Sequence, residues 1–465
     1  MRDDLEVLRA ASERAIGYVA EVDGRSVAPS QDEVMALAQL DEPLPECGTD
    51  ASETLQLLDE VAGPATVAST GPNYFGFVTG AAYPVALGAS FLVNAWDQNA
   101  GLPVMSPAAA KIHDVTRGWL IDLLGLPEQT VLAFVTGATV ANASCLAAAR
   151  DALLAKEGWE APLRGLFGAP EVNVVIGGQA HVSLRKSLGL VGLGSDRVTI
   201  VPADDQGRMR ADLLPGVLEG LDGPVLVCAQ AGEVNTGAFD PFVEIADALG
   251  ERANSWLHVD GAFGLWALAD PSRGRLVEGL TRADSWAADG HKWLNVTYDC
   301  GMAFVARPDA LRRTFAAVAG YLPSESGFAA AHHTPQSSQR ARQIEVWSVL
   351  RTLGREGVAQ LVQRTSDCAQ TIGERLSSAP GFEVLNEVVL NQVLVRFGDG
   401  ATTEALINEV QRDGRIWCGP TQWHDETAMR ISVSSWKTTG EHAEAAAEVI
   451  IECAARLESA VGGVR

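Results

Sequence analysis

Basic residues are scarce in this sequence, which has 35 Lys and Arg against 59 Asp and Glu and a formal net charge of −24. Because the phosphate backbone of nucleic acids attracts basic surfaces, this acidic excess argues against a nucleic-acid partner. Long apolar runs are also lacking: no stretch reaches the roughly 18 residues of a membrane-spanning helix. The opening residues (MRDDLE) have neither the basic nor the apolar part of a secretory signal. We therefore expect a cytoplasmic protein without a membrane partner.

Cysteine occurs seven times, at scattered positions and never as a CxxC pair. An odd number without such pairs indicates neither a disulfide framework nor a zinc site, so we expect small buried apolar side chains. Of the eight histidines only His332 and His333 are adjacent, and no carboxylate or cysteine stands at metal-ligand spacing from them. We predict no metal site.

The length of 465 residues predicts two or three domains. Helical periodicity covers the first 70 residues or so, and short apolar runs then alternate with helical stretches, which is typical of a parallel sheet. These runs are residues 131–135, 172–176, 197–201, 224–230, 256–260, 285–289 and 298–305. Further strands are predicted at residues 382–385, 392–397 and 429–434. We predict an α/β protein with an N-terminal helical segment (1–75), a large sheet domain (76–335) and a smaller α+β domain (336–465).

Two stretches of the large domain carry a candidate acid and a candidate lysine. In the first, residues 258–264 (HVDGAFG), Asp260 ends an apolar run and so lies at the C-terminal end of a strand, where open α/β sheets bind ligands. The second, residues 288–295 (ADGHKWLN), places Lys292 after another strand. Taken singly, such an Asp is usually a helix cap and such a Lys a surface residue. As a pair they suit pyridoxal phosphate chemistry, in which a lysine binds the cofactor and an acid holds its ring nitrogen protonated.

These stretches resemble the HVDAA and DxHKW motifs of the group II pyridoxal-phosphate-dependent amino acid decarboxylases, and the resemblance runs from about residue 60 to the C-terminus. It implies the fold of type I pyridoxal phosphate enzymes, with a large, mostly parallel sheet domain, an N-terminal helical segment and a smaller C-terminal domain. It also implies a homodimer, an amino acid substrate and pyridoxal 5'-phosphate as cofactor. The implied catalytic residues are Lys292, through a Schiff base, His181 and Asp260, and the implied cofactor contacts include Ala262 and His291.

A turn between a strand and a helix at residues 136–139 (TGAT) is a candidate phosphate site. Free backbone N–H groups and the positive end of the helix dipole converge at such a turn. Taken alone, the segment is more simply an ordinary strand-to-helix turn. The resemblance assigns the family's phosphate cup to it, at Ala138 and Thr139. The family often has an acidic residue two positions before the asparagine that stands here at Asn142. This chain has Val140 at that position.

Two contacts with the cofactor ring also come from the resemblance. The pattern AHVS places His181 just after a strand, where its imidazole can stack on the ring, although an isolated histidine there can equally cap a helix. After the strand at 224–230 the family commonly has a threonine that bonds the ring's 3-oxygen, but this chain has Glu233 and Val234. Asn235 is one candidate replacement, and Glu233 could instead face the substrate.

Three residues are candidate substrate contacts. In the resembled family the region matching residues 71–99 leads into a pocket whose walls are shared between two subunits, which implies roles for Phe77 and Asn99. Aromatic residues between glycines are about as commonly core residues. Arg430, on a predicted strand of the smaller domain, is either a surface ion-pair partner or a ligand for the substrate carboxylate.

Residues 319–338 are rich in Ser, Ala and His without periodicity, and we expect them to form a mobile flap. In the resembled decarboxylases a tyrosine on this loop donates the proton that completes the amine. The matching place here falls near Ala330, and the nearest tyrosine is Tyr321, so His332 or His333 is the candidate acid, although adjacent loop histidines are more often solvated. Aldehyde-forming oxidative decarboxylation and β-elimination, on an amino acid or a cysteine conjugate, are therefore alternatives to simple decarboxylation.

Two other functional classes fit the sequence less well. Ser-Lys acyl transfer would need a partner motif for residues 183–186 (SLRK), and none accompanies it. A cofactor-free interaction protein would not need the intact set of Asp260, His291 and Lys292. The sequence favours a pyridoxal-phosphate-dependent decarboxylase.

Overall fold

The computed structural model describes residues 2–250, 252–316 and 328–462. The chain divides into two compact units. The sheet unit comprises residues 80–370 and 386–393, and the terminal unit comprises the residues up to 79, residues 371–385 and those from 394 onward. This grouping does not test the three-part division expected from the sequence, which stays a prediction.

Helices and strands alternate along most of the chain. The helices are α1 (Arg2–Glu21), α2 (Gln31–Ala36), α3 (Ala51–Leu57), α4 (Pro84–Trp96), α5 (Pro107–Leu124), α6 (Ala138–Lys156), α7 (Ala161–Arg164), α8 (Val182–Leu190), α9 (Leu214–Glu219), α10 (Phe242–Leu249), α11 (Pro308–Phe315), α12 (Gln343–Ser377), α13 (Gly400–Asp413) and α14 (Gly440–Gly462). The strands are β1 (Val131–Val135), β2 (Asn173–Gly177), β3 (Thr199–Val201), β4 (Val225–Gln230), β5 (Ser255–Asp260), β6 (Ser285–Asp289), β7 (Gly301–Val305), β8 (Phe382–Val384), β9 (Gln392–Phe397), β10 (Gly419–Trp423) and β11 (Glu426–Ser432).

The sheet unit is built on a seven-stranded sheet in the order β1-β7-β6-β5-β4-β2-β3. Neighbouring strands from β3 to β6 pair in parallel, whereas β7 is antiparallel to both β6 and β1. Residues of both faces of β4, β5 and β6 are buried, as expected of parallel strands covered on both sides. The predicted α/β class with a mostly parallel sheet is confirmed.

Helix α6 packs directly on the middle of this sheet. Its buried residues, including Ala141, Cys145 and Leu146, share one apolar cluster with residues of β2, β4, β5 and β7. Because alanine side chains are small, the helix approaches the strands closely, and it also packs against α8. The helix begins at Ala138, immediately after the turn that follows β1, so its first turn lies at the end of that strand.

Helix α5 shows how local sequence sets an element's ends. The Ser106 hydroxyl accepts a hydrogen bond from the backbone N–H of Ala109, and Pro107 occupies the first helical position, where no backbone donor is needed. The helix ends at Leu124 because Gly125 adopts a left-handed conformation with φ of 61°. The sequence alone predicts both ends, because Ser106 and Pro107 form a typical helix start and the helical stretch runs through Leu124.

A second sheet has four strands in the order β10-β11-β9-β8, with antiparallel pairing in β10–β11 and β8–β9. The terminal unit also contains the predicted N-terminal helices α1, α2 and α3. Six of the seven cysteines are buried as expected, but Cys47 is exposed, because it lies in an irregular segment between α2 and α3. Within the described residues, no helix is long and apolar enough to cross a membrane. The cytoplasmic location stays a prediction.

Candidate active site

Lys292 lies in the turn that follows β6, and its amine is fixed by the last residue of that strand. The Nζ atom is 3.0 Å from Oδ2 of Asp289, which is 2% exposed. The other carboxylate oxygen, Oδ1, accepts the backbone N–H of Ala138 at 2.6 Å. The lysine's own backbone touches Gly80, where a Cβ atom would lie only 1.9 Å from the Lys292 carbonyl oxygen. Position 80 therefore requires glycine, because even the methyl group of alanine would collide with this backbone.

Asp260 is the last residue of β5 and is 3% exposed, so its predicted position at the C-terminal end of a strand is confirmed. Its Oδ2 atom accepts a hydrogen bond from Nδ2 of Asn142 at 2.9 Å. Its Oδ1 atom accepts the backbone N–H of Ala262 at 3.2 Å. The Ala262 carbonyl in turn accepts the N–H of Asp289 at 2.8 Å, which joins the acid's strand end to the lysine's.

The first turn of α6 lies beside the same strand ends. A Cβ atom on Gly137 would be 3.3 Å from Cε1 of His291 and 3.6 Å from Oδ1 of Asp289. Ala138 is the first residue of the helix and Thr139 the second. The Thr139 carbonyl accepts the Ser187 hydroxyl at 2.8 Å, which links this turn to α8. The predicted phosphate turn and the lysine therefore meet in the structure.

His181 caps the N-terminus of α8. Its Nδ1 atom accepts the backbone N–H of Ser183 at 3.2 Å, and its own N–H donates to Oε1 of Gln230 at 3.1 Å. Because a backbone amide can only donate, Nδ1 is the unprotonated nitrogen and the neutral ring carries its proton on Nε2. The capping role left open by the sequence is therefore present, and stacking on a cofactor ring stays a prediction.

His291 is held by the segment that immediately precedes β7. Its Nδ1 atom accepts the backbone N–H of Cys300 at 3.1 Å, and its ring stacks on Tyr298 with centroids 4.3 Å apart. Burial lowers the pKa of the imidazole below its usual value. Nε2 lies 3.7 Å from Oδ1 of Asp289, so His291 stands beside the carboxylate that also contacts Lys292.

Glu233 turns its side chain into its own loop after β4. The residue is 2% exposed. Oε2 accepts the backbone N–H groups of Asn235 at 2.7 Å and Thr236 at 2.8 Å, and Oε1 accepts Nδ2 of Asn235 at 3.0 Å. These bonds disfavour a Glu233 that faces the substrate, because its carboxylate already closes the turn. A contact of Asn235 with the cofactor stays a prediction.

The predicted substrate contacts are divided between the two units, and Asn99 belongs to the sheet unit. Asn99 binds a neighbouring loop: its Oδ1 atom accepts the N–H groups of Gly101 and Gln339, and its Nδ2 atom donates to Ser338. Phe77 and Arg430 belong to the terminal unit. There Phe77 is 64% exposed and stacks on Trp417 with centroids 5.9 Å apart, and Arg430 of β11 pairs with Gly419 of β10. Their roles toward a substrate stay predictions.

Part of the predicted flap, including Tyr321, lies outside the described residues. In the part that is described, His332 and His333 are 6% and 8% exposed, so the expectation that they are solvated is wrong. Nδ1 of His333 donates to the Ala329 carbonyl at 2.7 Å, and its ring stacks on Phe328, which stacks in turn on His113. Both imidazoles are therefore packed inside the protein, and burial lowers the pKa of His333 below its usual value. A proton-donor role for either histidine stays a prediction.

A family model described as the pyridoxal-dependent decarboxylase conserved domain matches residues 35–397. The chain belongs to the pyridoxal-dependent decarboxylase family. An aromatic-L-amino-acid decarboxylase from Bacillus atrophaeus is 25% identical over 95% of each chain. An L-2,4-diaminobutyrate decarboxylase from Rhizobium meliloti (strain 1021) is 31% identical over 77% of this chain and 71% of that protein. The crystal structure of Oryza sativa TDC with PLP and tryptamine superposes with a TM-score of 0.90 at 21% identity, covering 98% of both chains.

The residues of this family member fit its cofactor, pyridoxal 5'-phosphate. A buried carboxylate, Asp260, suits a protonated ring nitrogen, and the first turn of α6 suits a phosphate. The side chain of Lys292 is 22% exposed, so it is not fully enclosed by the protein. These residues lie at the carboxyl ends of β5 and β6, which is the edge at which open α/β sheets bind ligands.

Two residues of the site had no role in the sequence interpretation. Asn142 contacts Asp260 directly, and His258 contacts Asn142 through Nε2 at 2.9 Å. A signal was available for His258, because it lies two residues before Asp260 on the same strand and so on the same face of the sheet. Asn142 gave no comparable signal, since its distance from Asp260 in the sequence hides their contact.

Proposed function

We propose that this decarboxylase removes the α-carboxylate of an amino acid and that Lys292 binds pyridoxal 5'-phosphate covalently. The observation that carries the proposal is the link from the Lys292 amine through Asp289 to the start of α6, at the sheet edge that also holds Asp260. When bound, the cofactor supplies a ring that accepts the electrons left by the departing carboxylate. The chain's own groups must bind and orient that ring and the substrate.

We propose a role for each remaining site residue in binding and orienting the cofactor or the substrate. Asp260 is the negative partner of the ring nitrogen, and His181 lies on the ring with its proton on Nε2. Backbone N–H groups of the first turn of α6 and the Thr139 hydroxyl bind the phosphate, as helix N-termini bind anions. The proposed lesser cofactor contacts are Ala138, Asn235, Ala262 and His291, and the proposed substrate contacts are Phe77, Asn99 and Arg430.

The test of Lys292 uses the visible absorbance of the purified protein with pyridoxal 5'-phosphate. We expect Lys292→Ala to lose the absorbance of the covalently bound cofactor and to lose turnover, because no other amine takes its place. Lys186→Ala, which changes an exposed lysine of α8, is the matched control and should keep both properties. A Lys292→Ala protein that retains absorbance and turnover would refute the assignment.

The substrate and product are identified in one assay. Aromatic amino acids, histidine and 2,4-diaminobutyrate form the first panel, because the relatives act on side chains this different. We expect equal amounts of amine and CO2 from one of them. Release of peroxide with an aldehyde, or of ammonia without CO2, would instead support oxidative decarboxylation or β-elimination. The family membership favours the amine.

We also propose that the protein is a homodimer. Helix α4 and the loop after it expose large apolar side chains, although exposure of apolar surface to water is unfavourable. They are Phe91, Leu92, Trp96, Val104 and Met105. A second copy of the chain is the occupant that the family resemblance implies for this region. Leu92 and Trp96 are one turn apart, so both can enter one contact.

Sedimentation of the cofactor-loaded protein tests the dimer. The change Leu92→Glu with Trp96→Glu should convert a dimer of the wild type into a monomer, because each buried carboxylate would be unpaired. Phe167→Glu alters an even more exposed apolar residue elsewhere in the sheet unit and should leave the mass unchanged. A fully active wild-type monomer would contradict the proposal.

A further inference from the structure

A buried chain of hydrogen bonds leads away from Asp260 into the sheet. Nδ2 of Asn142 lies 2.9 Å from Oδ2 of Asp260, and Oδ1 of Asn142 lies 2.9 Å from Nε2 of His258. Nδ1 of His258 lies 2.9 Å from the hydroxyl of Ser285, which accepts Nε1–H of Trp256 at 2.8 Å. All five side chains are at most 3% exposed. The chain joins β5, β6 and α6.

Elementary donor and acceptor rules give this chain one direction. A carboxylate only accepts, so Asn142 must present its N–H to Asp260 and its oxygen to His258. Nε2 of His258 must then carry the ring's proton, which leaves Nδ1 as the acceptor of the Ser285 hydroxyl. Trp256 can only donate, and its N–H reaches the oxygen of Ser285. Each link therefore has one donor and one acceptor.

The charge state of the histidine is consistent with that direction. Burial lowers the pKa of His258 to about 4, so the ring is neutral near pH 7. A protonated ring would direct a donor at both Asn142 and Ser285, and the hydroxyl of Ser285 would have to rotate. In the neutral form every polar atom in the chain is satisfied, and such buried networks hold their side chains in one arrangement.

We propose that Asn142 and His258 are positioning residues that fix the Asp260 carboxylate and keep it a hydrogen-bond acceptor toward the cofactor ring. This inference rests on the proposed role of Asp260. The N–H of Asn142 holds one oxygen and the N–H of Ala262 holds the other, so the plane of the carboxylate is set from two sides. His258 acts only through Asn142, whose amide it prevents from turning its oxygen toward Asp260.

The first readout is the dissociation constant of pyridoxal 5'-phosphate, from titration of the cofactor-stripped protein. Asn142→Leu is similar in size and cannot donate, and we expect it to weaken cofactor binding about 10- to 100-fold, because a hydrogen bond to a charged group is lost. Ser144→Ala is the matched control: Ser144 is equally buried on α6 but bonds only to the Val140 carbonyl in the interactions seen. The control should bind the cofactor as the wild type does.

Variants of His258 test the direction of the chain. The amide nitrogen of His258→Gln can still donate to Asn142, whereas His258→Leu cannot, so Gln should retain most of the cofactor affinity that Leu loses. The double change Asn142→Leu with His258→Leu should bind no more weakly than Asn142→Leu alone, because the histidine acts through the asparagine. Independent, additive losses would overturn the inference.

Asn142→Asp provides a signature that a merely structural role would not produce. It sets two carboxylates against each other, so one proton must be shared between them. We expect its cofactor affinity to rise several-fold on acidification from pH 8 to pH 6, relative to the wild type measured in parallel. An unchanged pH profile would count against the inference.

The Asp260→Asn variant separates this inference from the proposed function. If Asp260 does not face the cofactor ring, Asp260→Asn keeps the wild-type affinity and absorbance. In that case both the proposed role of Asp260 and the positioning role of Asn142 and His258 fail. If Asp260→Asn weakens binding but Asn142→Leu does not, only the positioning role fails. Circular dichroism verifies folding, and if Asn142→Leu does not fold, the comparison of His258→Gln with His258→Leu decides the question alone.

Discussion

At the scale of single residues, Glu233 shows how a buried acid can serve the backbone. The family resemblance places a threonine in this region, and a carboxylate there could be mistaken for a substrate contact. In the structure it accepts two backbone N–H groups and one amide N–H of the next residues of the turn. Its role is therefore to hold the loop that follows β4. The last residue of β4, Gln230, accepts the backbone N–H of His181 through its side chain.

We predict that Glu233→Ala lowers the free energy of unfolding by about 2 to 4 kcal/mol, because several buried donors lose their acceptor. Glu233→Gln keeps one acceptor oxygen for the two backbone N–H groups but sets its NH2 group against Nδ2 of Asn235, so it should cost about 1 to 2 kcal/mol, less than Glu233→Ala. Urea unfolding of both variants measures the difference. If Glu233→Gln instead raises the KM for the amino acid with unchanged stability, the side chain contacts the substrate and this interpretation is wrong.

Residue positions were more predictable than side-chain directions. The strand-end position of Asp260 followed from an apolar run, and the placement of Lys292 after β6 followed from the next one. The directions of Glu233 and of His333 did not follow, because each depends on neighbours that only the folded loop supplies. The contact between Asn142 and Asp260 did not follow either, because 118 positions separate the two residues in the sequence.

At the scale of elements, the helix and strand ends with strong local signals were the ones predicted well. Strands β1, β6 and β9 have the predicted bounds, as does α5, whose cap residues are explicit in the sequence. The alanine-rich stretch predicts a helix over residues 142–154, and α6 begins four residues earlier, inside the candidate phosphate turn. Strand β10 was missed because it contains Gly and Pro, which local patterns assign to loops.

The approach of β7 to the start of α6 depends on Gly301, and we predict that Gly301→Ala weakens cofactor binding at least about tenfold. A Cβ atom there would lie 2.5 Å from Cα of Gly137, so the first turn of α6 must move. Gly118→Ala in α5 meets no heavy atom within 4 Å and is the control, expected to leave affinity unchanged. Cofactor titration measures both. Wild-type affinity in Gly301→Ala would show that the turn does not bind the phosphate.

At the scale of the whole molecule, buried histidines make stability depend on pH. Burial lowers the pKa of His258 to about 4 and lowers those of His291 and His333 as well. In the unfolded chain these rings titrate near 6.5, so the unfolded state binds more protons on acidification. Asp240 opposes them, because burial raises its pKa to about 6 and its folded form gains a proton below that pH. The three histidines therefore act against Asp240 as pH falls below 7.

We predict that the free energy of unfolding falls as pH is lowered from 7 to 4.5. The fall begins as the rings of the unfolded chain titrate near pH 6.5, and Asp240 offsets part of it below pH 6. The shift of His258 alone corresponds to about 3 kcal/mol when fully developed. Urea unfolding at fixed protein and saturating cofactor concentrations measures the slope. His258→Gln, which takes up no proton, should reduce it, whereas His424→Asn, which changes an exposed histidine, should leave it unaltered. Stability that stays level or rises between pH 7 and pH 6 would contradict the neutral, buried state of these rings, and with it the single direction of the hydrogen bonds behind Asp260.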